Sequence, residues 1–135
     1  MANWYGTARS NYFKVKDTAA FKAEMAKYDV EVLEPSGEEG RLGLVSTEAD
    51  SGDWPSYNSD TDESFDLWQI VAPHLADGEV AVFQTAGAEK ARYVTGHAVA
   101  FNNTGTECWV NIDDIYAKAA AMFEVPRESI TLAHY

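Results

Sequence analysis

Hydrophobic and polar positions alternate along this chain in two rhythms, and between them they predict a sheet interleaved with helices. Asn11 to Val15 has the aromatic and β-branched character of a strand. Asp17 follows as a helix cap, and the next turns place Phe21, Met25 and Tyr28 at helical spacing toward a core. Val30 to Glu34 and Arg41 to Ser46 flank the turn-rich connector 35–40, which predicts a hairpin. Within its first arm the acids alternate with Val30, Val32 and Leu33, so the carboxylates should face outward. From Thr47 to Glu63 the periodicity disappears in favour of Gly, Ser, Asp and Asn, the composition of a long surface loop.

The rhythm returns with a short helix from about Ser64 to Ala72. Its core face would be Phe65, Trp68 and Val71 or Ala72, and Pro73 limits its extension. Three strands are then predicted at Glu79 to Thr85, Ala91 to Asn102 and Thr106 to Ile112, separated by turns around Gly87 and Gly105. A last helix over Asp113 to Phe123, capped by Asn111 or Asp113, puts Ile115, Ala119 and Met122 on one face. Pro126 stops it, and Ser129 to His134 is a candidate edge strand. This order implies a single α+β domain over residues 1–135, with an antiparallel sheet and two to three helices. Its first six elements follow the ferredoxin-like β-α-β-β-α-β order, and a β-β-α extension is added.

Charge changes the picture because it is so unevenly placed. Residues 29–66 contain twelve acidic side chains and one basic one, Arg41, a net of −11 against −12 for the whole chain. Residues 1–28 sum to +3 and residues 67–135 to −4. An acidic disordered tail is excluded as an explanation, since four Trp, seven Tyr and six Phe are spread through the chain. The opening residues do not read as a secretory leader and no apolar run is long enough for a membrane helix, so the expectation is a soluble cytoplasmic protein without membrane partners.

Three readings of the acidic segment compete. The carboxylates can be solvated loop residues that maintain solubility. They can imitate nucleic-acid phosphates, which duplex DNA presents at about one negative charge per 1.7 Å of axis, and so fit a basic groove. Or Asp60, Asp62 and Asp66 can open a calcium loop. That pattern then fails, because Phe65 stands where the turn wants Gly and Val71 where a bidentate Glu is required. Trp54 and Tyr57 sit within the acidic stretch, either presented as apolar anchors to a partner or folded back to pin the loop.

Other chemistry is thinly represented. Cys108 is the only cysteine, which excludes an internal disulfide and reads by default as a buried strand residue. Pairing it with a histidine and Asp113 or Asp114 would draw a nucleophile, but His74, His97 and His134 lie in separate elements without metal-ligand spacing. No Gly-rich phosphate loop is present, no cofactor is implied, and the basic residues of the first 28 positions are too few and mixed to bind nucleic acid directly. They can pair instead with the protein's own acids or with another copy.

The opening segment 1–17 (MANWYGTARSNYFKVKD), the middle segment 72–83 (APHLADGEVAVF) and Asp113-Asp114-Ile115-Tyr116-Ala117 resemble small uncharacterised acidic proteins of bacterial plasmids, integrative elements and phages. The resemblance implies a setting in which acidic proteins mimic DNA and disarm host restriction or CRISPR systems, and it carries no site residues. The leading expectation is a non-catalytic inhibitor that binds a positively charged surface on a host nucleic-acid-binding protein. Its contacts would be Glu38, Glu39, Glu48, Asp50, Asp53, Asp60, Asp62, Glu63 and Asp66, with Trp54 and Tyr57 as anchors. The alternatives are a small metal-binding protein or enzyme using Asp60, Asp62 and Asp66, and an oligomeric accessory protein joined through its basic N-terminal region.

Overall fold

The computed structural model of the chain describes residues 5–37, 40–48, 52–90 and 93–133. Among them the fold is α+β, with three α-helices and antiparallel strand pairing. The main sheet is built from β1 (Tyr5–Ser10), β2 (Phe13–Lys14), β3 (Val30–Leu33), β4 (Arg41–Ser46), β7 (Ala81–Glu89), β8 (Tyr93–Phe101) and β9 (Glu107–Asn111). β3 pairs with one side of β4, β2 and β1 with the other, and the sheet continues β1-β7-β8-β9. Its two margins are therefore β3 and β9.

The first strand begins earlier than Asn11 to Val15. β1 alternates outward Thr7 and Arg9 with inward Ala8 and Ser10, small residues that give little strand signal in the sequence. Ser10 explains why the strand stops. Its buried hydroxyl accepts from the Leu44 N–H at 2.8 Å and donates to the Asn11 carbonyl at 2.7 Å, taking the place of a ladder partner. Asn11 then uses its side chain as a surrogate strand, donating to the Val80 carbonyl and accepting from the Val82 N–H. Beyond this kink β2 resumes pairing with β4 at Phe13↔Leu42.

One face of the sheet carries the core. Ala8, Phe13, Leu42, Leu44, Ala81, Phe83, Val99 and Phe101 meet Phe21 and Met25 of α1 (Thr18–Met25) and Leu67 and Val71 of α2 (Leu67–Val71). Phe13 packs edge-on against Phe21 at 5.8 Å and Phe83 edge-on against Phe101 at 5.0 Å. α1 starts where Asp17 accepts the Ala20 N–H at 3.0 Å, the cap expected from the sequence.

Several boundaries differ from expectation. The second helix starts at Leu67 rather than Ser64, because Glu63–Ser64 forms a strand, β6, paired with β5 (Tyr57–Asn58). The segment 47–63 is thus no uniform loop: it ends in a small hairpin. α2 buries Leu67 and Val71, with Phe65 and Trp68 only partly covered, and runs into a 3-10 turn at Ala72–His74. Gly87 marks no turn. It lies inside β7, opposite Thr95, and the strand reaches Glu89. The edge strand expected after Pro126 is replaced by a 3-10 turn at Arg127–Ser129, and the described residues after it, through Ala133, form no strand. No helix among the described residues is long and apolar enough to cross a membrane.

The other face of the sheet is uncovered by any helix among the described residues. Thr7 and Arg9 of β1, Gln84 and Ala86 of β7, Gly96 and Ala98 of β8, and Val110 of β9 border a shallow cleft of about 350 Å³ there. β9 is exposed along its whole length, and α3 (Asp114–Phe123) has no buried residue.

Candidate acidic interface

Glu38, Glu39 and Asp50 lie outside the described residues. The remaining acids are organised by local hydrogen bonding at the β3 margin. After α1 the chain turns through Lys27 and Tyr28 into Asp29, whose carbonyl accepts the Thr47 N–H at 2.9 Å. That bond holds the end of β4 beside the start of β3 and brings Glu48 next to Asp29. The Ser46 hydroxyl then ties both ends of the following turn, donating to the Asp53 carbonyl and accepting the Glu48 N–H at 3.2 Å.

Gly52 closes this turn, its N–H bonding the Glu48 carbonyl at 3.2 Å. Its φ of +72° is one that residues with a Cβ rarely adopt, and a Cβ would fall 1.9 Å from the Gly6 carbonyl oxygen of β1. Gly52→Ala is therefore expected to destabilise the fold by about 2–3 kcal/mol, from the backbone strain together with the displaced turn. A urea melt showing no change in midpoint would overturn this close approach.

Trp54 follows, and its position decides between the two readings of the aromatic pair. It is 8% exposed and stacked on Phe83 at 4.4 Å between ring centres, so it pins the segment to the core and is withdrawn from any partner. Tyr57 is exposed and its hydroxyl donates to the Asp62 carboxylate at the tip of the β5–β6 hairpin. Asp62 itself has φ 55°, and the Asn58 side chain accepts the Asp60 N–H at 2.9 Å and the Thr61 N–H at 3.3 Å, shaping that tip. The hydrogen bond to Asp62 raises the Tyr57 phenol above its usual pKa, because ionisation would set a phenolate against a carboxylate. In an NMR titration of the ring carbons Tyr57 should ionise later than an ordinary tyrosine. Asp62→Asn should bring its midpoint back down, and an unchanged midpoint would disprove the bond.

Two clefts result. The larger, about 450 Å³, is bordered by Asp29, Glu48, Asp53, Pro55 and Tyr57. The smaller, about 250 Å³, is bordered by Lys27, Asp29, Tyr57, Asp60 and Phe65. Asp29, Pro55 and Tyr57 belong to both, so four carboxylates from three separate stretches of chain surround adjoining hollows. Lys27 is the cation on this rim. The Glu24 carboxylate, 2.8 Å away, raises its pKa by hydrogen bonding and then by charge.

Of the acids expected to form an interface, Glu48, Asp53 and Asp60 come together. Asp62 stands beside them, bound to Tyr57. Glu63 on β6 and Asp66, which precedes α2, are exposed but border neither cleft. Asp29 was absent from the expected contacts, although it opens the acidic segment. Only its pairing with Thr47 across the sheet margin reveals it.

The competing chemistries fare differently. No group of three or more His, Cys, Asp or Glu among the described residues is placed to hold a metal ion. Asp60 and Asp62 occupy a hairpin tip, with the Asp62 carboxylate taken by Tyr57, and Asp66 sits beyond the hairpin. Cys108 is exposed rather than buried. The β8–β9 register puts it opposite Ala100, on the face away from His97, which lies opposite Asn111. His74 packs against Phe21 at 5.6 Å, and His134 falls outside the described residues. Two of the N-terminal cations are taken within the chain, Lys22 by Glu34 at 2.6 Å and Lys27 by Glu24. Comparison with protein-family models, with curated proteins and with solved structures returns no match to this chain.

Proposed function

We propose that this is a non-catalytic binding protein whose acidic face occupies a basic, nucleic-acid-binding groove on a host protein, as a DNA-mimic inhibitor of the anti-restriction or anti-CRISPR kind acting in the cytoplasm. The observation that carries the reading is the convergence of Asp29, Glu48, Asp53 and Asp60 on two adjoining clefts at one margin of the sheet. Lys and Arg side chains of a partner, positioned for phosphates, would enter these hollows, and the exposed Tyr57 ring between them offers a surface on which a guanidinium can stack. The field of the −12 chain would accelerate encounter with a cationic groove and lose that effect as salt rises. The same reading takes β1-α1-β3-β4-α2-β7 as a ferredoxin-like unit extended by β8-β9-α3, which the neighbour order β3-β4-β1-β7 supports.

The test is competition. Immobilised protein should retain nucleic-acid-binding proteins from a bacterial lysate at low ionic strength, and duplex DNA added in solution should release them. Retention that DNA does not disturb would refute mimicry, and so would the absence of any retained nucleic-acid-binding protein.

A further inference from the structure

The chain has a second surface, at the opposite margin of the sheet. Every residue from Glu107 to Ala133 is exposed or half-exposed, although the segment holds a strand and a helix. Met122 is 79% exposed and Phe123 66%, and Trp109, Val110, Ile112 and Ile115 are also exposed. The C-terminal segment folds back on Tyr116: the Arg127 guanidinium lies 4.5 Å from that ring, and the Ala133 N–H donates to its hydroxyl at 2.7 Å. This leaves the far end of α3 uncovered.

The exposed area is large for the mass. A compact monomer of 14.9 kDa exposes about 7,000 Å², whereas this chain exposes 8724 Å². The excess is about 1,700 Å² per chain, or about 3,400 Å² for two, within the range of obligate homodimers, about 2,000–5,000 Å². The surface is also complementary to itself. The cleft on the open sheet face has small residues, Thr7, Ala86, Gly96 and Ala98, where a helix can approach closely, and Val110 and Ile112 as one wall. Ile112 also borders the hollow that Val94, Ile115 and Tyr116 form where α3 leaves the sheet, so receptor and helix belong to one continuous surface.

We propose that a second copy of this chain covers it, in a two-fold symmetric dimer in which α3 of each copy lies across the open sheet face of the other, with Met122 and Phe123 over the small residues. In such an isologous contact each chain supplies both a helix and a receptor. The acidic margin at β3 lies on the far side of the sheet from β9, so the two concentrations of negative charge need not approach one another.

Sedimentation equilibrium of the full chain at tens of micromolar should give twice 14.9 kDa. The double variant M122D/F123D, and separately A86E on the sheet, should each halve the mass. Both alter exposed positions, and far-UV circular dichroism matching wild type shows that the fold is intact. An equimolar mixture of the two variants retains one unaltered helix and one unaltered receptor, and should recover dimers. Wild type sedimenting as a monomer would overturn the proposal. So would an M122D/F123D variant that stays dimeric, or a folded A86E variant that does so, the last pointing to pairing along the β9 edge instead.

Discussion

Trp54→Ala should destabilise the fold by about 3–5 kcal/mol, lowering the melting temperature by on the order of 10–20 °C. The ring is buried and stacked on Phe83, itself in edge contact with Phe101, so truncation opens a cavity in the middle of the sheet's core face. Trp54→Phe should recover most of that loss. The indole Nε1–H is buried without a hydrogen-bond partner among the described residues, so a ring lacking that donor removes a costly polar group along with part of the area. Equilibrium urea unfolding of both variants checks this, and equal losses in the two would show that the stacking contributes little. Trp54→Ala should also disorganise the acidic clefts, because Trp54 anchors the segment that carries Asp53 and Tyr57.

Neutralising Asp29, Glu48, Asp53 and Asp60 together, as Asn or Gln, should do the reverse: spare the fold and remove the binding. The change takes the formal charge from −12 to −8. Exposed ion pairs contribute about 0.2–1 kcal/mol each, so losing four should weaken a cationic partner by roughly 4-fold to 900-fold at low ionic strength. The difference between variant and wild type should shrink as salt is added. Asn and Gln keep an acceptor oxygen, so the Trp54 N–H that bonds the Asp53 carboxylate retains its partner and thermal stability should hold. Binding of the retained partner, titrated at two salt concentrations, decides it. Equal affinity of the variant and wild type would remove these carboxylates from the interface.

The sequence made the layered α+β architecture legible because Phe21 and Met25 repeat at the spacing of a helix that buries one face, while turn residues separate the β-branched and aromatic runs. It concealed β1 because the inward positions there are Ala8 and Ser10, whose burial depends on neighbours contributed from elsewhere. It also suggested a turn at Gly87, which instead continues β7 opposite Gly6 and Thr95. The acidic segment was obvious as composition, yet which acids meet was not. Asp29 and Asp60 lie thirty-one positions apart and share a cleft through the Asp29–Thr47 backbone bond and the β5–β6 hairpin, neither of which leaves a periodic signature. Trp54 was readable both as an anchor offered outward and, somewhat better, as one turned inward, since a single indole in a polar stretch carries little directional information. α3 misled in another way: its apolar Ile115, Ala119 and Met122 share a face as expected, but none of them is buried by the described residues.

Because β3 and β9 lie at opposite margins, the width of the sheet separates the acidic clefts from the exposed apolar end of α3. Held on a cationic support by the clefts, the chain would turn Met122 and Phe123 away from the support and leave them open to a second copy. Ion-exchange media at low salt would thus act as an orienting scaffold, displaying the greasy margin of every molecule in the same direction.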